Sequence, residues 1–275
     1  MHFDQERGRE LLRKLERRLA KMSEEPAAKQ VHGFRTYSRR AEALLHELEA
    51  EPSGNTKKLL KGLGKLRKKA GRVRDLDVQM AALQGLKLPQ AAAQKAQLLR
   101  SLHEEREKRA RKLAKELDKK TVAELRRRTR KAASELAVPE DFDPLQRALR
   151  QVRQVGRNQH QLDEETLHQY RIAGKRARYL AELAGEDAEA ARVVGELTRM
   201  QDVIGDWHDW LKLTEQAEKL FGGPEQSTLV AVLSNVTRAK FQQSTRALEE
   251  MRAALLKKSA PPAKPVGRYQ AVSAA

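Results

Sequence analysis

Two histidines in this chain are each followed three residues later by an arginine: His32 by Arg35 and His168 by Arg171. Arginine binds anionic oxygens through two parallel hydrogen bonds, and histidine adds a donor that strengthens when the ring is protonated. The pairing is therefore typical of an anion-binding surface. The same histidines also fit a structural role at a helix start or between packed units, and the sequence leaves both interpretations open.

The two histidines belong to a repeat. Residues 32–48, HGFRTYSRRAEALLHEL, and 168–183, HQYRIAGKRARYLAEL, align at a constant offset of 136, so Arg39 matches Lys175 and Arg40 matches Arg176. At about 100° per residue, each copy predicts a helix with an apolar side opposite a cationic side. The cationic sides hold His32, Arg35, Arg39 and His46 in the first copy and His168, Arg171, Lys175 and Arg178 in the second.

A lysine-rich stretch that starts near Thr56 predicts a third helix. Its apolar stripe is Leu59, Leu63, Leu66, Ala70 and Val73, at spacings of four, three, four and three residues. The opposite side is the most concentrated cationic face of the sequence, within about 80° of arc. We call these residues the lysine row: Lys57, Lys61, Lys65, Lys68 and Arg72.

The helices that must position these residues are predicted to occur in one order that the chain repeats. Turn signals such as EPSGN and VPEDFDP separate amphipathic stretches, and a bend or break is expected near Asp118. The sequence predicts an all-α fold of two four-helix bundles, from an internal duplication, packed about a pseudo-twofold axis. The predicted organisation is a single domain over 1–258, with units 1–137 and 138–258, and a disordered tail over 259–275.

Composition narrows the functional class. The chain has no cysteine, which removes disulfides and thiolate chemistry, and its net charge is +18. Residues 1–137 carry 36 Lys and Arg against 19 Asp and Glu, whereas residues 138–275 carry 20 against 19. Such an excess predicts a polyanionic partner. No signal peptide or membrane span is evident, so a cytoplasmic location is expected.

These motifs resemble the CHAD family of histidine-bearing α-helical domains. The pattern His-x-x-Arg-x-x-x-Arg/Lys-Arg is matched twice. The family's second pattern, which ends in Arg-Asp-Leu-Asp-Val, is matched by Arg74 to Val78 at its end. The second half of the chain keeps only Gly205, His208 and Asp209 of this second pattern. The resemblance covers about residues 5–258. It implies paired four-helix bundles around a basic channel that binds inorganic polyphosphate, and suggests association with polyphosphate granules or polyphosphate-handling enzymes.

The resemblance and the charge pattern together predict a non-catalytic polyphosphate-binding module without a metal or cofactor. The lysine row has only Arg192 and Arg199 as basic counterparts in the second half, so the first half is expected to make most of the contact. The predicted binding residues are His32, Arg35, Arg39, Arg40, Lys57, Lys61, Lys65, Lys68, Arg72, His168, Arg171, Lys175, Arg176, Arg178 and Arg199, with Arg13 and Arg17 as additions.

Two alternatives remain. Binding to the nucleic-acid backbone fits the charge, although single strands would favour aromatic side chains among the basic ones, and aromatics are only 4% of the chain. A helical metal-dependent phosphohydrolase would use a His-Asp doublet such as His208-Asp209 and a later aspartate. No aspartate follows Asp209, so the sequence favours a binding protein over an enzyme.

Overall fold

The computed structural model describes residues 3–22, 27–49, 51–157 and 162–256. Within these ranges the regular structure is helical throughout, which confirms the predicted all-α fold class. No helix in them is long and apolar enough to cross a bilayer. The predicted tail lies outside the described residues. The helices are α1 Gln5–Ala20, α2 Ala28–Leu48, α3 Gly54–Gly85, α4 Ala92–Glu116, α5 Lys119–Glu135, α6 Pro144–Arg157, α7 Glu164–Ala181, α8 Ala188–Phe221 and α9 Thr228–Leu256, with 3-10 turns at Pro89–Ala91 and Glu182–Ala184.

Short polar side chains set the start of several helices. Asp4, Ser53 and Asp163 each accept a hydrogen bond from the backbone N–H three residues later, at 2.9, 3.2 and 2.8 Å. Such caps satisfy N–H groups that have no partner within the helix. Asp118 caps α5 through Thr121, and these hydrogen bonds lower the pKa of Asp118. The predicted break near Asp118 is confirmed, so the first 137 residues contain five helices where the plan had four.

Four clusters of buried apolar side chains hold the helices together, the smallest of them formed by Phe3, Leu11, Leu44 and Phe142. One joins α1, α2, α3 and α5 to the end of α4, and a second joins α6 to α9 around Trp207. The third packs Leu98 of the α3–α4 hairpin with Leu213 of the α8–α9 hairpin, so the two halves share a core at one end. The division at residue 137 and the internal duplication stay predictions.

The two copies of the repeat lie against each other, because α2 packs on α7. Arg40 of α2 donates from Nε to Oε2 of Glu182, just beyond α7, at 2.7 Å. In the opposite direction, Arg176 of α7 pairs with Glu47 of α2 at 3.7 Å. These cross-connections fix the distance between the two cationic helices and thereby set the width of the space between them.

Close packing also fixes α7 against α8. A Cβ atom added to Gly174 would lie 2.5 Å from Cε of Met200, so glycine lets the two helices approach at this point. Gly174 directly precedes Lys175. The position of Lys175 is therefore set by backbone packing on the neighbouring helix.

Candidate functional site

A cavity of about 1130 Å³ lies where α2, α3, α4 and α7 meet. Its apolar lining includes Ala70 and Val73 of α3 and Leu113 of α4, which belong to or pack on the first core cluster. Among the described residues the polar lining is mainly cationic, with two carboxylates, Asp77 and Glu107. The cations are Lys29, Arg35, Arg39, Arg74, Arg106, Arg111 and Lys175.

One stripe of α2 faces this cavity. His32, Arg35 and Arg39 lie three and four residues apart, so at about 100° per residue they point in nearly one direction. Burial lowers the pKa of Arg35 and of Arg39, although guanidinium groups remain charged at neutral pH. The Nη1 atom of Arg35 is buried and has no hydrogen-bond partner among the described residues. An oxygen ligand would supply the missing acceptor.

Lys175 of α7 enters the cavity from the opposite side. Its side chain is partly buried, and burial is the largest cause that lowers its pKa to about 7; repulsion by Arg171, Arg39 and Arg35 lowers the pKa further. Lys175 makes no hydrogen bond or ion pair with the described part of the chain. The cavity therefore contains an amine whose charge is costly until an anion arrives.

Arg106 donates hydrogen bonds to both carboxylates of the described cavity lining. Nε of Arg106 donates to Oδ1 of Asp77 at 2.8 Å, and Nη1 of Arg106 donates to Oε1 of Glu107 at 3.0 Å. These hydrogen bonds, with that to Asp77 the largest cause, raise the pKa of Arg106. The other cations of the lining have no carboxylate within ion-pair distance in the described ranges: Lys29, Arg35, Arg39, Arg74, Arg111 and Lys175.

Asp75 lies near this cationic cluster on α3. The residue is in contact with solvent, and desolvation of its carboxylate by the neighbouring protein is the largest cause that raises its pKa. The charge of Asp209 on α8 raises the pKa of Asp75 further, whereas Arg35 and Arg171 lower it. Carboxylates from the two halves thus stand close enough to oppose each other's ionisation.

The lysine row does not line the cavity. Its residues fall about 140° to 220° around α3 from Ala70, a cavity residue, and all five are exposed. Lys65 also pairs with Glu116 of α4 at 2.8 Å, and Lys69 contacts the same carboxylate. The α3–α4 hairpin therefore separates the row from the cavity, and the two form different cationic surfaces.

Four of the predicted binding residues, His32, Arg35, Arg39 and Lys175, come together in the cavity. His168 and Arg171 lie two turns and one turn before Lys175 on the same side of α7, beyond the cavity lining. Six predicted residues that belong neither to the cavity nor to the lysine row carry ion pairs elsewhere: Arg13 with Glu6, Arg17 with Glu10, Arg40 with Glu182, Arg176 with Glu47, Arg178 with Glu182 and Arg199 with Glu196. Arg13 and Arg17 line a separate cavity of about 560 Å³ between α1 and α5.

Sequence reasoning did not include four cavity cations: Lys29, Arg74, Arg106 and Arg111. Arg74 belongs to the Arg-Asp-Leu-Asp-Val motif, which is the sequence signal that could have identified it. No local signal distinguishes Arg106 and Arg111 from their charged neighbours on α4. Within the same motif, Asp77 forms an ion pair with Arg106.

The His208-Asp209 doublet lies on α8, with Nδ1 of His208 3.8 Å from Oδ1 of Asp209. Nδ1 of His208 is buried without a hydrogen-bond partner among the described residues. No group of three or more His, Asp or Glu side chains in those residues could hold a metal ion. The neighbouring Trp207 is buried in the second core cluster, with its ring 5.6 Å from that of Phe241.

Comparison with known families decides the classification. The family model described as "CHAD domain" matches residues 6–218, which is most of the chain. The chain belongs to the CHAD domain family. CHAD domains are related to polyphosphate. No protein of curated function matches the chain.

A solved CHAD structure has the same fold. The chain resembles the crystal structure of the CHAD domain from the plant Ricinus communis with a TM-score of 0.69, over 95% of each chain and at 18% sequence identity. At this identity the likeness concerns the fold alone. Helix α9, which begins after residue 218, is therefore part of a fold that continues beyond the match to the CHAD family model.

Proposed function

We propose that this CHAD domain binds inorganic polyphosphate in the cavity between α2, α3, α4 and α7, and that it does so without catalysing a reaction. The observation that carries the proposal is the set of six cavity cations without an ion-pair partner in the described ranges. Arginine matches phosphate oxygens with paired donors, and lysine adds a mobile point charge. A chain of phosphates supplies the negative charge that this lining lacks.

The lining also favours phosphate over bases. Tyr179 is the one Phe, Tyr or Trp among the described residues of the lining, so stacked bases would find little support there. Single-stranded nucleic acids gain about 1 to 3 kcal/mol per base from stacking on aromatic rings. Polyphosphate has no bases and needs only closely spaced cations.

The test measures polyphosphate affinity by calorimetry in a double variant of α2, Arg35→Gln with Arg39→Gln. Each charge-assisted hydrogen bond contributes about 1.5 to 3 kcal/mol, so affinity should fall at least about 100-fold. The matched control, Lys61→Gln with Lys68→Gln, removes two charges from the lysine row and should change affinity less than about threefold. Equal losses in both variants would overturn the assignment to the cavity, provided that both melt like the native protein.

The exposed lysine row favours a second candidate, binding to the backbone of nucleic acids. Its cations extend over 15 residues of α3, or about 22 Å, and face solvent. Under this candidate the lysine-row control should weaken DNA binding while the α2 variant should not. Competition separates the candidates further, because polyphosphate should displace DNA at a far lower phosphate concentration than DNA displaces polyphosphate.

The cellular setting is part of the same proposal. A cytoplasmic location and association with polyphosphate granules follow from polyphosphate being the ligand. Co-localisation of the tagged chain with stained granules, lost in the α2 double variant, is the expected result.

A further inference from the structure

Lys175 differs from the exposed lysines of the chain by its surroundings. It lies in the cavity beside Arg35 and Arg39 of α2, and Arg171 precedes it by one turn of α7. No carboxylate in the described ranges forms an ion pair with Lys175, and it differs from the exposed Lys61 and Lys68, which are unpaired in the same ranges, by its partial burial beside these arginines. Its amine is therefore available to react with a molecule in the cavity.

The charged and titratable groups around Lys175 come from four helices. The charges that lower the pKa of Lys175 most are those of Arg171, Arg39 and Arg35. The charge of Asp75 raises this pKa by a smaller amount. Asp77 and Glu107, the acids among the described lining residues, are bound by Arg106. The described groups are Lys29, His32, Arg35 and Arg39 of α2, Arg74, Asp75 and Asp77 of α3, Arg106, Glu107 and Arg111 of α4, and Arg171 and Tyr179 of α7.

This environment keeps much of the amine neutral. With a pKa of about 7, most Lys175 side chains carry no charge at pH 7.5, whereas an ordinary lysine with a pKa of about 10.4 is neutral in roughly one molecule in a thousand. A lysine that is desolvated beside other cations is a recognised form of activated nucleophile. Its lower basicity reduces the gain in reactivity but does not cancel it.

We propose that Lys175 is an acylation site, and that its amine takes the acyl group from small acyl phosphates whose phosphate is bound by Arg35 and Arg39. The proposal shares with the proposed function the assumption that these arginines bind phosphate. The electrophile must be anionic to gather in the cavity and must carry a carbonyl next to the phosphate. Acyl phosphates combine both features in one small molecule.

The reaction balances without a further reactant. The neutral nitrogen of Lys175 attacks the carbonyl carbon, a C–N bond forms, and the C–O bond to the phosphate breaks. Phosphate leaves with the bonding electron pair, and a proton from the amine passes to it. Arg35 and Arg39 stabilise the charge on the departing phosphate. The product is an amide that cannot take up a proton, so acylation removes a group that could become a cation when a phosphate anion binds in the cavity.

The experiment treats the full chain with acetyl phosphate at pH 7.5 and follows acetylation by mass spectrometry after cleavage by a Glu-specific protease. The peptide 166–182 contains Lys175 as its single lysine, and the peptide 219–225 contains only the exposed Lys219, which serves as the internal reference. Lys175 should react at least about tenfold faster than Lys219. Equal or slower reaction at Lys175 overturns the inference and leaves the proposed function untouched.

Two comparisons separate reactivity from phosphate binding. In the Arg35→Gln and Arg39→Gln variant, the preference for Lys175 should fall with acetyl phosphate more than with uncharged acetic anhydride. A preference for Lys175 that falls equally with both reagents overturns the role of the arginines. Treatment with acetyl phosphate should also lower the polyphosphate affinity of the native chain. The same treatment should leave the polyphosphate affinity of Lys175→Arg unchanged.

Protection by polyphosphate distinguishes the two proposals. Bound polyphosphate should slow acetylation of Lys175 and not that of Lys219. Fast acetylation that polyphosphate does not slow supports the acylation site and contradicts the placement of polyphosphate in the cavity.

Discussion

The cavity and the lysine row use the same residue types in opposite electrostatic settings. In the cavity, Arg35, Arg39 and Lys175 are partly buried, and burial lowers the pKa of each. In the row, the side chains are exposed, and Lys65 already has Glu116 as its partner. A desolvated cation without a partner gains most from a bound anion, because water screens it least. Crowding and burial therefore matter more for binding than the number of lysines on a face.

The largest expected effect comes from reversing one charge on each surface. Lys175→Glu should weaken polyphosphate binding at least about 100-fold, since it removes a cation and adds a repelling charge within a poorly solvated space. Lys68→Glu, an exposed position of the row, should change affinity less than about threefold. Titration of both variants at one salt concentration makes the comparison, and a larger loss in Lys68→Glu would reverse the ranking of the two surfaces.

Stability should depend on pH through Lys175. Its pKa is about 7 in the folded chain and about 10.4 when unfolded, so between these values the unfolded chain holds more protons and stability rises with pH. Below pH 7 the full cost of the buried charge remains. Allowing for partial contact with solvent, Lys175→Met should gain roughly 2 kcal/mol over the native chain at pH 6.5, and this gain should shrink by pH 9.5.

Urea unfolding of the native chain, Lys175→Met and Lys68→Met at the two pH values provides the measurement. Lys68→Met should follow the native curve, because its side chain is exposed in the folded state. A constant difference between Lys175→Met and the native chain at both pH values would falsify the role of Lys175.

Two adjacent arginines of α2 extend the comparison to paired and unpaired cations. Arg40 is bound by Glu182 at 2.7 Å and is partly buried, whereas Arg39 has no such partner in the described ranges. Arg40→Gln should cost roughly 1 kcal/mol of unfolding free energy and change polyphosphate affinity little. Arg39→Gln should show the opposite pattern. Thermal melting combined with calorimetry distinguishes the two outcomes.

The smallest expected effect comes from removing an acid on each surface. Asp77→Asn frees part of Arg106 in the cavity and should strengthen polyphosphate binding by roughly threefold. Glu116→Gln frees Lys65 and Lys69 outside the cavity, and the affinity should stay within about twofold. A stronger response to Glu116→Gln would indicate that polyphosphate uses the outer surface.

Local patterns in the sequence determined much of this molecule. Apolar spacing predicted the helices, Asp118 predicted the break between α4 and α5, and the duplicated motif identified His32, Arg35, Arg39 and Lys175 as a related set. These features could be predicted because helix periodicity and capping depend on residues within one or two turns. The alignment of the two copies of the repeat also related residues of α7 to residues of α2. Helix periodicity within one segment cannot make that connection.

Only the tertiary structure decided which cations share a space. Arg39 and Arg40 are adjacent in sequence, yet one faces the cavity and the other is bound by Glu182. The lysine row has the densest charge, but the packing of α3 on α4 leaves it on the outside. Burial and unpaired charge depend on residues from four helices far apart in the chain, and periodicity within any one helix does not contain that information.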